Sequence, residues 1–249
     1  MLYKTNIFQG SSFLITGASS GIGAHISLTL NQLGAKVIAV SSNYDKLLIQ
    51  KKQAKNPDNF IIFSKDLSEF KNLDKWVLTI AREYNGFNGA VLAAGISKTL
   101  GINSPNYIDV AYQLFSINYF GNLQILKGLL DKRAQTKKNS SFVWISSKAS
   151  QMPLKGLSLY GASKAAIDTT IKALSLEIFP KYRINSILPS LINTPMIQNI
   201  IQAQDIERLK CNSENIGKPE DISNLACFLL SDASKWINGQ NIIVDGGNM

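Results

Sequence analysis

Histidine and cysteine are nearly missing from this chain. His25 is the single histidine, and Cys211 and Cys227 are the two cysteines, in 249 residues. One histidine leaves little for Ser-His-Asp hydrolysis or for a zinc site. Two distant thiols lack metal-ligand spacing and suit a reduced compartment, so no metal is expected, and His25 is expected on a helix face. No run approaches the ~18 consecutive apolar residues of a membrane span. The first ten residues, Met-Leu-Tyr-Lys-Thr-Asn-Ile-Phe-Gln-Gly, carry no apolar stretch and no small-residue cleavage site, unlike a signal peptide. A cytoplasmic chain with no membrane partner is the expectation. Internal repeats, low-complexity tracts and Pro/Ser-rich linkers are also missing, so residues 1–249 are expected to form one domain. There is no nucleic-acid motif and no long basic run, although Lys+Arg 26 against Asp+Glu 17 gives a net charge of +9. Basicity spread in this way fits a generally basic surface, or affinity for phosphorylated or acidic partners.

What is present is an alternation. Short, continuously apolar runs at 13–16, 36–40, 60–63, 90–93, 142–145, 184–188 and 242–244 read as strands buried on both faces. Amphipathic patterns at 22–32, 44–55, 69–84, 107–130, 157–179 and 219–230 read as helices. Strand–helix alternation predicts an α/β fold, a doubly wound, seven-stranded and mostly parallel sheet with helices on both faces. Two segments break the rhythm. Residues 132–141 form a basic loop, and 194–217 is a polar insertion with scattered apolar residues that suits either a substrate lid or an ordinary helical insertion.

The first strand runs into Thr-Gly-Ala-Ser-Ser-Gly-Ile-Gly at 16–23, and a helix follows. Glycines in such a turn permit a tight bend, close backbone approach to a pyrophosphate, and close helix–strand packing. The helix N-terminus then offers unpaired N–H groups and partial positive charge to the phosphates. Gly17, Ser19, Ser20, Gly21, Ile22 and Gly23 are therefore candidate cofactor contacts. At the end of the second strand, where an acid would bind ribose hydroxyls, the chain has Ser41, Ser42 and Asn43. No carboxylate there repels a 2′-phosphate, and no arginine attracts one; NADP(H) is favoured over NAD(H).

Tyr160 and Lys164 lie four apart in Tyr-Gly-Ala-Ser-Lys, thirteen residues after Ser147. Residues i and i+4 share a helix face. An ammonium beside a phenol favours the phenolate and can draw its pKa from about 10 toward neutrality, a shift worth roughly 4 kcal/mol for three units. Such a tyrosine can exchange a proton with a carbonyl or alcohol oxygen near pH 7, and a serine hydroxyl can hold the same oxygen.

With these motifs the chain resembles the short-chain dehydrogenase/reductase family over essentially its whole length. The turn at 16–23 matches Thr-Gly-x-x-x-Gly-x-Gly, and Tyr160 with Lys164 matches Tyr-x-x-x-Lys, with Ser147 upstream. Asn118 in Ser-Ile-Asn-Tyr-Phe-Gly matches the helix asparagine of a catalytic tetrad. Two late signatures, Gly-Lys-Pro-Glu-Asp at 217–221 and Asn-Gly-Gln…Val-Asp-Gly-Gly at 238–247, also match. The resemblance implies a Rossmann-type fold and interconversion of a ketone and a secondary alcohol with a nicotinamide cofactor. It implies Tyr160 as general acid/base, Lys164 as the residue that lowers its pKa and holds the ribose, Ser147 on the substrate oxygen, and Asn118 anchoring a water that connects Lys164 to solvent. It places Asp66 and Leu67 beside the adenine, Ala94 and Gly95 along the cofactor, and Ile192 and Thr194 at the carboxamide.

The chain departs from the family pattern twice. Asn-Asn-Ala-Gly is replaced by Leu92-Ala93-Ala94-Gly95, and Pro-Gly by Pro189-Ser190, where serine would tolerate positive φ poorly. A 3-oxoacyl-[acyl-carrier-protein] reductase is the activity the resemblance favours, with the basic Lys132, Arg133, Lys137, Lys138 and Lys181 as a place to meet an acidic carrier. A sugar, a steroid or another small carbonyl is the alternative, and a non-catalytic dinucleotide-binding regulator is the reading from another class. The resemblance also implies a homo-oligomer, tetramer or dimer, built on the helices that carry Asn118 and Tyr160. Apolar stripes at Leu123, Leu126, Leu129, Leu130 and at Ile167, Ile171, Leu174, Ile178 serve either that contact or the chain's own sheet.

Overall fold

The computed structural model describes residues 6–134, 136–197 and 216–247. Seven strands form one sheet in the order β3-β2-β1-β4-β5-β6-β7, and every adjacent pair is parallel. They are β1 Ser12–Thr16, β2 Lys36–Ser41, β3 Phe60–Ser64, β4 Gly89–Leu92, β5 Ser141–Ile145, β6 Arg183–Pro189 and β7 Asn241–Val244. The helices are α1 Gly21–Gln32, α2 Tyr44–Gln53, α3 Leu73–Glu83, α4 Tyr107–Phe115, α5 Asn122–Leu130, α6 Ser158–Ile178 and α7 Pro219–Leu230.

Successive strand residues point to opposite faces, and this alternation builds two cores. Phe13, Ile15, Val37 and Ala39 face α1 and α7 with Ile26, Leu30, Ile222 and Leu229. Leu14, Ile38 and Val40 face α3, α5 and α6 with Val77, Ile80, Leu126, Leu129, Ile167 and Ile171. Each fully buried aliphatic side chain contributes roughly 1.5–3 kcal/mol. The inner strands β4, β5 and β6 are buried throughout, whereas the edge strands β3 and β7 are only partly covered.

The structure differs from the sequence pattern in four places. The pattern at 107–130 is two helices joined by a π-helical turn at Ser116–Gly121. The pattern at 69–84 yields a helix only from Leu73, because Asn72 before it is left-handed at φ 67°. β4 ends at Leu92 because the Ala93 amide donates to the Thr16 side chain instead of a strand neighbour. Ser190 is not among the residues with positive φ, so Pro189-Ser190 carries no left-handed strain. Most of the insertion at 194–217, and with it Cys211, lies outside the described residues.

Both apolar stripes serve mainly the chain's own sheet. Leu126, Leu129, Ile167 and Ile171 are fully buried, and Leu123, Leu130, Leu174 and Ile178 pack against the same core. The basic loop is also misplaced for its expected role. Lys137 and Asn139 bond by their backbone amides to Phe87 and Lys181, at the amino ends of β4, β5 and β6. A five-residue strand spans about 17 Å, and the cleft described below lies at the opposite ends of these strands. No helix among the described residues is long and apolar enough to cross a membrane.

Candidate active site

The chain runs outward from β1 to β2 and β3, then crosses back to place β4 on the other side of β1. Such a reversal opens a crevice at the carboxyl ends of the strands. A cleft of about 660 Å³ lies there, and its walls follow the strands in turn: Gly17–Gly23 after β1, Ser41 and Ser42 after β2, Lys65–Leu67 after β3, Ala93–Ser97 after β4, Ile145–Ala149 at β5, and Pro189–Ile192 with Thr194–Ile197 after β6.

The glycine turn is shaped for close backbone approach. Gly17 is left-handed at φ 67°, and a Cβ there would lie 2.8 Å from the Ala93 carbonyl oxygen and the Ala94 backbone. A Cβ on Gly23 would overlap the Gly17 carbonyl. α1 follows with no side chain capping it and no acid in its first turn, which leaves its N–H groups and dipole available to an anion. This backbone cradle at the start of an uncapped helix fits the pyrophosphate of a dinucleotide. Ser19 and Ser41 bond hydroxyl to hydroxyl at 2.7 Å, tying the turn to the end of β2.

Ser42 lines the cleft, but Asn43 does not. Its side chain accepts the Lys46 amide at 2.9 Å and caps α2, so the expected contact with the cofactor is corrected to a capping role. Lys65 lines the same end of the cleft, beside Ser41, whose carbonyl takes its amide at 2.9 Å. Sequence reasoning passed over it, although it immediately precedes Asp66. Asp66 accepts the Ser68 amide and hydroxyl on one oxygen, both at 2.8 Å, and its other oxygen is not engaged by these bonds. Leu67, Ala94, Gly95, Ile192 and Thr194 all line the cleft. Ile192 pairs with Gly217, which brings the two ends of the insertion together.

Tyr160, Lys164 and Ser147 meet at the cleft as expected. Tyr160 and Lys164 project from α6, and Ser147 lies two residues beyond β5. Burial pushes the Tyr160 phenol above its ordinary value, and the neighbouring Ser147 hydroxyl only partly offsets this. The expectation that Lys164 lowers the phenol is not met in this arrangement. Its ammonium lies 5.8 Å from the ring centroid and donates to the Ile145 carbonyl at 2.9 Å. Burial lowers Lys164 itself to about 8, opposed by the charge of Asp168.

Asn118 is fully buried and does not line the cleft. Its oxygen accepts the Ile96 amide at 2.8 Å, and its amide donates to the Ile96 carbonyl at 3.1 Å and to Ser163 at 3.0 Å. The side chain therefore braces the turn after β4, where Gly95 leaves room for both Asn118 and Lys164. Two further residues went unnoticed in the sequence. Asn122, one helical turn on, bonds Thr16 and the Ala94 carbonyl. Lys148, beside Ser147, pairs with Asp245 at 2.6 Å and holds that carboxyl below its usual range. His25 bonds Ser223 at 2.9 Å between α1 and α7, away from the cleft lining.

The far wall of the cleft is apolar, with Met152, Pro153, Leu154, Leu157, Met196 and Ile197. The arrangement brings a half-buried phenol, a hydroxyl and a buried amine to one end of a crevice that also holds the glycine turn. It can hold an oxygen and exchange a proton with it.

Comparisons with known proteins agree with this geometry. Residues 17–248 match a family model described as enoyl-(acyl carrier protein) reductase. The chain is 33% identical over 243 residues to a 3-oxoacyl-[acyl-carrier-protein] reductase of Rickettsia bellii, covering 96% of this chain and 97% of that one. It is 30% identical over 251 residues to a vibriobactin-specific 2,3-dihydro-2,3-dihydroxybenzoate dehydrogenase of Vibrio cholerae, covering 95% of each. A solved short-chain dehydrogenase/reductase from Brucella melitensis, titled glucose/ribitol dehydrogenase, superposes with a TM-score of 0.89 at 27% identity, covering 99% of this chain and all of that one.

Proposed function

The chain belongs to the short-chain dehydrogenase/reductase family, a family of NAD(P)(H)-dependent oxidoreductases, and from that premise we propose that it interconverts a ketone and a secondary alcohol at a carbon held against Tyr160. The observation that carries this reading is the convergence of Ser147, Tyr160 and the buried Lys164 on one end of the cleft, with the Tyr160 ring centroid 5.8 Å from the Lys164 ammonium. The nicotinamide supplies or accepts the hydride when bound. Ser147 holds the substrate oxygen, and Tyr160 gives it a proton in reduction or takes one in oxidation. Lys164 holds the nicotinamide ribose, and Asn118 keeps the turn at 95–97 in place against it. Gly17, Ser19, Ser20, Gly21, Ile22 and Gly23 hold the pyrophosphate. Asp66 and Leu67 hold the adenine, and Ile192 and Thr194 the carboxamide.

NADP(H) is the proposed cofactor. Ser41 and Ser42 offer hydroxyls where an acid would repel a 2′-phosphate. The proposed substrate is a 3-oxoacyl thioester, carried by an acyl carrier protein. The apolar wall of Met152, Pro153, Leu154 and Leu157, with Met196 and Ile197, suits an acyl chain better than a sugar. The Rickettsia relative carries that activity in its name. A carrier would dock at the carboxyl side of the sheet, not on the loop at 132–139.

We take residues 1–249 as one catalytic unit, cytoplasmic and homo-oligomeric. Support for the oligomer is the outer face of α4, where Ile108 and Tyr112 are 62% and 72% exposed.

A substrate panel followed with NADH and with NADPH tests the proposal. Oxidation of NADPH on an unactivated 3-oxoacyl thioester supports it. Turnover of sugars, steroids or cyclic diols with no thioester reduction rejects the substrate, and preference for NADH rejects the cofactor.

A further inference from the structure

α6 carries a buried acid that the reaction above does not use. Asp168 lies one turn beyond Lys164 and is 8% exposed. Its Oδ2 accepts the Ser150 hydroxyl at 2.5 Å, a length typical of a hydroxyl on a charged carboxylate. The Ser150 oxygen also lies 2.7 Å from the carbonyl oxygen of Ser147. Ser146, on the other side of Ser147, has its hydroxyl 3.2 Å from the Lys164 carbonyl oxygen. Asp168 Oδ1 is buried without a hydrogen-bond partner. A carboxylate with one unsatisfied oxygen costs stability where a leucine or an alanine on the same helix face would not.

We propose that Asp168 is a positioning residue of the active site: through Ser150 it ties the turn bearing Ser147 to the helix bearing Tyr160 and Lys164, and it places a negative charge one helical turn from Lys164. The inference rests on the roles given above to Ser147, Tyr160 and Lys164. Two separate contacts support it. The Ser150 bond reaches from α6 to the Ser147 turn, so the distance between serine and tyrosine is fixed from both sides. The charge acts along α6, where Lys164 feels Asp168 as the one group that opposes its loss of a proton on burial. Asp168 is faced in turn by Lys164 and Lys172 of α6 and by the hydroxyls of Ser146 and Ser150, all of which favour its ionised form against burial. Tyr160 is also titratable and near Lys164, its ring centroid 5.8 Å from the ammonium, and burial holds its phenol above the ordinary value.

The test separates charge from shape with two variants of the whole chain. Lys164 is titrated by NMR of protein labelled at the lysine ε-carbon, its signal assigned by its loss in Lys164→Met. In Asp168→Asn the Lys164 midpoint is expected to fall by about half a unit to one unit. Its kcat is expected to fall about tenfold, with the dissociation constant of NADPH changed less than twofold. In Ser150→Ala, which leaves the charge in place, kcat is expected to fall while the Lys164 midpoint stays put. An unchanged Lys164 midpoint in Asp168→Asn overturns the proposal, and so does wild-type kcat in both variants. Should Asp168→Asn not fold, wild-type kcat in Ser150→Ala overturns the tie by itself, and a fall in kcat with an unshifted midpoint supports it. Full turnover in Tyr160→Phe would instead remove the roles on which the inference rests, and the NMR titration does not depend on turnover.

Discussion

The Thr16 hydroxyl donates to Asn122 Oδ1 at 2.7 Å, joining the end of β1 to the start of α5. The Thr16 hydroxyl oxygen accepts the amides of Ala93 and Ala94, each at 3.0 Å, and the Asn122 amide donates to the Ala94 carbonyl at 2.9 Å. Two side chains thus close the backbone beyond β4, in the stretch where the chain lacks the family's asparagine. Thr16→Val keeps the shape and leaves two amides and an amide oxygen unpaired. It is expected to cost about 1–3 kcal/mol and to weaken dinucleotide binding, as read by urea denaturation and by a binding titration.

Gly23→Ala sets a methyl against the Gly17 carbonyl, and neither backbone can yield without opening the turn proposed to hold the pyrophosphate. Loss of measurable dinucleotide binding is expected. Gly101→Ala is the control, since a Cβ there has nothing within 4 Å and its φ is not left-handed; its binding should match that of the parent chain. Equal binding by both variants would remove the cradle from the account.

Much of this site is legible in the sequence because its parts are local. The turn at 16–23 and the Tyr160–Lys164 spacing each lie within one turn or one helix, and period and backbone chemistry specify them. The parts that escape are those set by contacts between distant segments. Asn122 shares a helix face with Asn118, yet its partner Thr16 is 106 residues away. The break at Ser116–Gly121 follows from Asn118 bonding Ile96 and Ser163, which no helical periodicity in 107–130 reveals. Spacing alone sets Lys164 against Tyr160, whereas burial and the Ile145 carbonyl decide where its ammonium sits.

The adenosine end offers a test by charge. Ser42→Asp places a carboxylate where the proposed 2′-phosphate would lie, so NADPH affinity is expected to fall at least tenfold with NADH affinity kept. Asn43→Ala, by contrast, removes only the α2 cap and should cost about 1 kcal/mol of stability without changing either affinity. A comparable loss for both cofactors in Ser42→Asp would contradict the placement.

Stability should rise with alkalinity through Lys164. The amine titrates at about 8 when folded and at 10.5 when unperturbed, so between these values the unfolded chain holds a proton that the folded chain has released. The Lys164 contribution therefore increases with pH across that window, by on the order of 2–3 kcal/mol, while Cys227, which burial pushes up to about 12, acts in the opposite sense above its ordinary 9.0. Tyr160 acts in the opposite sense only above its ordinary 10.0, where the folded phenol keeps a proton that the unfolded one loses. Denaturation by urea at about pH 7.5 and about pH 9.5 checks this, and Lys164→Met should lose the rise.

Tyr160→Phe is the most direct measurement, made with NADPH and the best substrate of the panel. The account expects kcat to fall at least ~10²-fold, the scale of a lost general acid, with the NADPH dissociation constant essentially unchanged. Turnover at the level of the parent chain would contradict Tyr160 as the proton donor.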